Sequence, residues 1–103
     1  MASVDVFAAL GNPVRRRILE LLRPGPVTVN SLVERFQLNR PAVSEHLQVL
    51  RNAGLVRDER KGRERYYHVE PAPLAEVQEW LRPFEHYWRE RFTKLTEVLD
   101  KED

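Results

Sequence analysis

Apolar residues recur at helical spacing in five runs along the chain, and each break between runs carries its own punctuation. Val4, Phe7, Ala8 and Leu10 form a short helical pattern that Gly11-Asn12 ends, and Pro13 opens a second helix at its first turn. In that second run, PVRRRILELLR, Val14, Ile18, Leu21 and Leu22 mark the predicted buried stripe, with Arg15, Arg16 and Arg17 spread over the remaining arc. The first helix is too short to stand alone and must pack on another element, either the long final helix or a second subunit. Pro24-Gly25-Pro26 is a firm breaker, after which Val27 to Val29 is extended or enters a third helix with Thr28 as its N-cap. Val29, Leu32, Val33 and Phe36 keep the three-and-four spacing to the end of that helix, and Gln37-Leu38 makes a short turn.

The next stretch, NRPAVSEHLQVLRNAGLV over Asn39 to Val56, has the best-marked ends. Asn39 can accept from the free amides of the first turn, and Pro41 sits where a missing N–H costs nothing. Val43, Leu47 and Leu50 face a core, while Arg40, Ser44, Glu45, Gln48 and Arg51 fall on the opposite side. Gly54 supplies the positive φ that ends the helix, and Leu55-Val56 begins an extended run. A helix, a tight turn and a second helix within 26 residues, Thr28 to Ala53, have the dimensions of a helix-turn-helix.

Beyond it, LVRDERKGRERYYHV alternates poorly but is punctuated as a hairpin around Lys61-Gly62-Arg63, with Tyr66, Tyr67 and Val69 favouring strand. Arg57, Arg60, Lys61, Arg63 and Arg65 crowd into it against Asp58, Glu59 and Glu64. A charged hairpin beside a helix-turn-helix has the form of a wing. Its cations favour phosphate contact, and the plainer alternative is an edge kept charged against aggregation. Pro71 and Pro73 then break the chain before a long amphipathic helix over residues 73–99. Leu74, Val77, Leu81, Phe84, Trp88, Phe92 (or Arg91), Leu95 and Leu99 are spaced alternately three and four, with Trp80 and Tyr87 beside this seam. Pro83 falls inside the pattern and should kink it. The stripe is longer and more aromatic than so small a domain can cover, so it is read as a dimer interface, an intrachain core helix being the alternative. Residues 100–103, DKED, are expected to fray. The expected fold is mainly α (α+β): a single winged helix-turn-helix domain over 1–103, with a two-stranded β-wing over 55–70 and dimerisation helices over 1–12 and 73–99.

Composition narrows the classes. At 103 residues and 42% hydrophobic content, the chain suits one domain with a modest core. It holds no run of about 18 apolar residues and no basic start leading into an apolar region, so no membrane span or secretory signal is expected and the location is expected to be cytoplasmic. The absence of cysteine removes disulfides, thiolate metal sites and cysteine nucleophiles. The net charge of +1 conceals an asymmetry: residues 35–68 hold eight Lys/Arg against four Asp/Glu, whereas residues 69–103 hold five against nine. A basic middle segment suits an anionic partner, or is a chance partition of solvated charge. His46, His68 and His86 lie on three different elements and no glycine-rich phosphate loop is present, so neither an enzyme nor a cofactor is expected.

NPVRRRILELL, LNRPAVSEHLQVLRNAGLV and GRERYYHV, in this order and spacing, resemble the ArsR-type winged-helix repressors. The last helix, with EWLRPFEHYWRERFTKLTEVL, resembles the cysteine-free, SdpR-type autorepressor branch of that family, and the match covers essentially the whole chain. The resemblance implies a homodimer, joined through the first and last helices, that binds a partly palindromic operator in double-stranded DNA and represses transcription. Carried over residue by residue, it places base reading on Arg40, Pro41, Ser44 and Glu45 and the wing role on Arg60, Lys61, Arg63 and Arg65. Asn39, His46 and Arg51 complete the candidate DNA-binding set, and Phe7, Leu74, Leu81, Phe84, Trp88, Phe92, Leu95 and Leu99 form the candidate dimer interface.

Arg40 can bond guanine O6 and N7 in a bidentate pair, and Glu45 can accept from cytosine N4, each worth about 1 to 3 kcal/mol of discrimination. Glu45 either specifies a base in this way or suppresses non-specific binding. His46 either touches DNA or is a partly buried histidine bonded within the protein. Where thiolate metal ligands would stand in relatives, the third helix reads TVNSLV. His86 and Glu90, one turn apart, could bridge a metal between subunits, but a solvated pair is the plainer reading and no metal effector is expected. The remaining competitor is a winged helix that docks an acidic protein. Salt separates the two, because DNA binding weakens with a log–log slope of about −0.9 per neutralised phosphate.

Overall fold

Eight elements follow one another in the computed structural model, which describes residues 5–101. Helix α1 spans Val6–Leu10, α2 Pro13–Leu22, α3 Val29–Phe36, α4 Arg40–Asn52 and α5 Leu74–Lys101. The strands are β1 (Val27–Thr28), β2 (Val56–Lys61) and β3 (Glu64–Val69). Predicted caps hold at both ends of the helix-turn-helix. Thr28 accepts from the Ser31 amide to start α3, and Asn39 accepts from the Ala42 amide to start α4. At the far end of α4 the Gly54 amide donates to Arg51 and the Leu55 amide to Leu50, the paired bonds of a Schellman ending, with Gly54 at φ 76°.

The core is one cluster in which α2, α3 and α4 meet over Ile18, Leu22, Leu32, Val43, Leu47, Leu50 and Leu55, all buried. Two predicted stripes shift by a position. In α1 the buried pair is Val6 and Ala9, with Phe7 and Leu10 half-buried and Ala8 exposed, because Asp5 caps the helix and so sets its rotation; Val4 lies outside the described residues. In α2 Leu19 joins Ile18 and Leu22 in the core, while Val14 and Leu21 are only partly covered, since the helix is packed over a wider arc than one stripe.

The wing hairpin forms as predicted, but the sheet has three strands in the order β1-β3-β2. Val27 pairs with Tyr67 and Thr28 with Tyr66, so the segment between the proline breaker and α3 is extended and anchors the base of the wing. The hairpin loop is two residues, Gly62 and Arg63, closed by Lys61 opposite Glu64. Among these two only Gly62 has positive φ, at 62°, the pattern of a type II′ turn with glycine first.

Helix α5 runs through Pro83 and ends two residues beyond the predicted Leu99, with Asp100 and Lys101 helical; 102–103 lie outside the described residues. Its 28 residues extend about 42 Å at 1.5 Å per residue. That rod explains the 61 × 35 × 21 Å extents and the 18.3 Å radius of gyration, against about 13 Å for a compact chain of this length. Leu74 and Val77 pack on the core, and Phe7 meets Trp80 edge-on at 5.7 Å. Beyond that point the helix leaves the body.

Candidate nucleic-acid interface

Helix α4 presents Arg40, Pro41, Ser44, Glu45, Gln48 and Arg51 to solvent, while Val43, Leu47 and Leu50 hold it against the core. Its N-terminus opens onto a cleft of about 370 Å³ between the helix-turn-helix and the wing. Along the strands the hairpin register sorts the wing residues into two faces, while Arg63 and Glu64 reach the cleft from the turn. Val56, Asp58 and Arg60 lie opposite Val69, Tyr67 and Arg65, so these six share one face of the hairpin. Arg57, Glu59 and Lys61, opposite His68, Tyr66 and Glu64, share the other.

Arg60, Arg63 and Arg65 line the cleft together with Arg40, Ser44 and Tyr67, four guanidinium groups against one carboxylate, that of Glu64 beside the hairpin turn. Arg40 donates to the Asn30 side chain on α3, which aims its guanidinium along the cleft wall. Arg60 is held loosely by the Gly62 carbonyl at 3.4 Å. Lys61 belongs to the other face, 3.7 Å from Glu59, and does not line the cleft. On that face Arg57 pairs with Glu70 at 2.6 Å and lies 3.6 Å from Glu59, whose carboxylate also stands 3.5 Å from the His68 ring, so Arg57 and Lys61 both have carboxylates beside them.

Two of the arginines expected to meet DNA are engaged by one carboxylate. Asp58 lies 2.6 Å from Arg65 on β3 and 3.4 Å from Arg51 at the end of α4, and its side chain is only 12% exposed. The sequence places Asp58 among opposite charges, but which of them it meets depends on register and on the angle of α4 to the hairpin. Asn30 and Tyr67, which also line the cleft, escaped the sequence reading for the same reason.

The remaining candidates fall elsewhere. His46 is half-buried with Nδ1 3.4 Å from Arg15 Nη1, as expected of a histidine bonded within the protein. Glu45 is exposed and lines a second hollow, with Arg15, His46, Gln48 and Val49, that shares no residue with the cleft. The α2 arginines divide their work. Arg15 Nε and Nη2 donate to the Ala9 and Ala8 carbonyls at 2.7 and 3.2 Å, and Arg16 donates to Leu10 at 2.6 Å. Together they bond the last carbonyls of α1, of which Ala8 also accepts from the Gly11 amide at 3.1 Å. Arg17 pairs with Glu20 at 2.8 Å.

The α5 seam divides. Leu74, Leu81 and Phe7 are half-buried within the chain, whereas Phe84, Trp88, Phe92, Leu95 and Leu99 are exposed, Phe92 at 64%. Trp80, Tyr87 and Val98 extend that exposed apolar face. His86, Glu90 and Glu97 border a hollow that also holds Arg89 and Lys94, so two cations stand beside its two carboxylates. No group of three or more metal-ligating side chains occurs among the described residues, and no helix among them is long and apolar enough to cross a membrane.

A helix-turn-helix with a cationic cleft between its second helix and a β-hairpin defines a winged-helix DNA-binding protein. The profile described as bacterial regulatory protein, arsR family, matches residues 12–58. The chain is 36% identical over 80 residues to the transcriptional repressor SdpR of Bacillus subtilis, a match covering 78% of this chain and 89% of that protein. It is 37% identical over 96 residues to the HTH-type transcriptional regulator Rv2034 of Mycobacterium tuberculosis, covering 93% and 87%. A crystal structure of an ArsR family transcriptional regulator superposes with a TM-score of 0.72 at 33% identity, covering 82% of this chain and 93% of that one. The chain belongs to the ArsR family and is a DNA-binding transcriptional regulator, a reading these relatives support over a module that docks an acidic protein.

Proposed function

We propose that the chain acts as a homodimeric repressor that binds a partly palindromic operator, in the cytoplasm and without a catalytic role. The observation that carries this reading is the cleft lined by Arg40, Ser44, Arg60 and Arg63 beside the exposed face of α4. Arg40, Pro41, Ser44 and Glu45, on the first turns of that helix, are the base readers; Asn39 sets the start of the helix and His46 supports it from the protein side. Arg60 and Arg63 hold phosphates from the wing, with Lys61 a weaker contributor because Glu59 offsets its charge.

The homodimer is supported by the unpartnered apolar face of Phe84, Trp88, Phe92, Leu95 and Leu99, continuous with Trp80 and Phe7. Leu74 and Leu81 serve at its inner edge while contributing to the fold of their own chain. A two-fold axis between two such helices gives two α4 helices a symmetric approach to neighbouring half-sites. Repression is the activity named for the SdpR relative.

Direct titration of a duplex from upstream of the gene, beside a random-sequence duplex at physiological salt, tests this. Preference for the upstream duplex with a steep salt dependence is expected. Equal binding of both duplexes would sink the operator reading.

A further inference from the structure

The geometry points to Asp58 as a positioning residue that withholds Arg51 and Arg65 from the phosphate backbone and thereby sets the margin between specific and non-specific DNA binding. The inference rests on the DNA-binding reading of the cleft and extends it to a residue of the opposite charge to the ligand.

Three observations lead there. Asp58 is the acidic residue on the inner face of the hairpin, opposite Tyr67 and diagonal to Arg65, with Arg60 next along the same face. Its carboxylate lies 2.6 Å from Arg65 and 3.4 Å from Arg51, two residues on different elements. The carboxylate is 12% exposed, whereas Arg51 and Arg65 are 51% and 47% exposed, so the anion is covered and the cations are at the surface. The pairs on the outer face, by contrast, involve a glutamate that is 42% exposed.

The physical consequence follows from charge and geometry. An arginine free to swing to any phosphate adds affinity that carries no base information. At the operator the base contacts fix the register of the protein and so the phosphates within its reach, whereas on random duplex the protein can settle wherever the free cation finds a phosphate, so each freed arginine raises random-site affinity more than operator affinity and lowers their ratio. An arginine bonded to a covered carboxylate must break that bond before it can neutralise a phosphate. Asp58 thus removes two mobile cations from the indiscriminate part of the interface. Because its two partners sit on α4 and β3, the same bonds fix the angle of the wing to the base-reading helix. Arg40, Arg60 and Arg63 have no carboxylate partner among the described residues and stay available.

The test uses the full chain with a random-sequence duplex and a duplex from upstream of its own gene, each titrated over a range of salt. For Asp58→Asn, which keeps the shape and removes the charge, random-duplex affinity should rise. The log–log salt slope should steepen by about 0.9 for one released arginine or about 1.8 for both, and the upstream-to-random ratio should fall. Asp58→Glu should restore much of the wild-type slope. Arg63→Gln should flatten the slope by about 0.9, whereas Arg65→Gln should change it much less, because Arg65 is already engaged. The arginine pair of variants decides the matter even where Asp58→Asn fails to fold. Equal effects of Arg63→Gln and Arg65→Gln, or a folded Asp58→Asn with wild-type slope, would overturn the inference while leaving the operator reading intact. A wild-type chain that binds neither duplex would overturn both.

Discussion

Arg40 and Arg63 line the same cleft and carry the same charge, yet they stand in different relations to the ligand. Arg40 is on the first turn of α4 and is steered by Asn30, so its guanidinium has a defined direction. Arg63 sits in the two-residue turn at the wing tip, exposed. Replacing Arg40 with alanine should relax the preference at one base pair in each half-site by about 1 to 3 kcal/mol, read from binding to a set of single-base operator variants. Replacing Arg63 with alanine should weaken every duplex in that set alike. That Arg40 stands on the solvent face of its helix was legible in the sequence, since a capped amphipathic helix has a definite outer face. The division among the wing cations was not. Lys61 and Arg60 are neighbours in sequence but project from opposite faces, and only the pairing of Arg60 with Arg65 and Lys61 with Glu64 tells which face meets α4.

Between α3 and α4 the chain turns through Gln37, at φ 54° and ψ 31°, a left-handed conformation that non-glycine residues adopt at a cost of roughly 1 to 2 kcal/mol. Glycine would relieve that strain and forfeit about 0.5 to 1 kcal/mol through its freer unfolded state, so relief wins. Gln37→Gly should therefore raise the melting temperature by a few degrees. Asn39→Ala should lower it by removing the bond to the Ala42 amide, at a cost of about 1 kcal/mol, as thermal unfolding followed by circular dichroism would report. Helix boundaries were readable because their signals are local: an Asn cap, a Pro in the first turn and a Gly at the end each act within a few residues. Strand β1 was ambiguous because two residues have no period, and their extended conformation is decided by Tyr66 and Tyr67 far along the chain.

A helix that projects from a small body with Trp80, Phe84, Tyr87, Trp88, Phe92 and Leu95 exposed is costly for an isolated chain in water. Trp88→Glu combined with Phe92→Glu should convert dimers to monomers in sedimentation, and should reduce operator affinity by orders of magnitude while leaving the helix-turn-helix folded. A wild-type chain that sediments as a folded monomer at micromolar concentration would refute this. One further property of the whole molecule follows from the small strand at the base of the wing. Val27 and Tyr67 are forty positions apart, and α3 with the proposed base readers on α4 lies in the loop their pairing closes. Helices and the hairpin form from near neighbours, so this ladder, like the longer-range contact of Phe7 with Trp80, carries loop-closure entropy and comes late in folding. Opening it should release recognition helix and hairpin as one unit. In hydrogen–deuterium exchange, Val27→Gly should accelerate the amides of α4 and β3 together, and acceleration confined to the hairpin would show that the two halves of the reading head open independently.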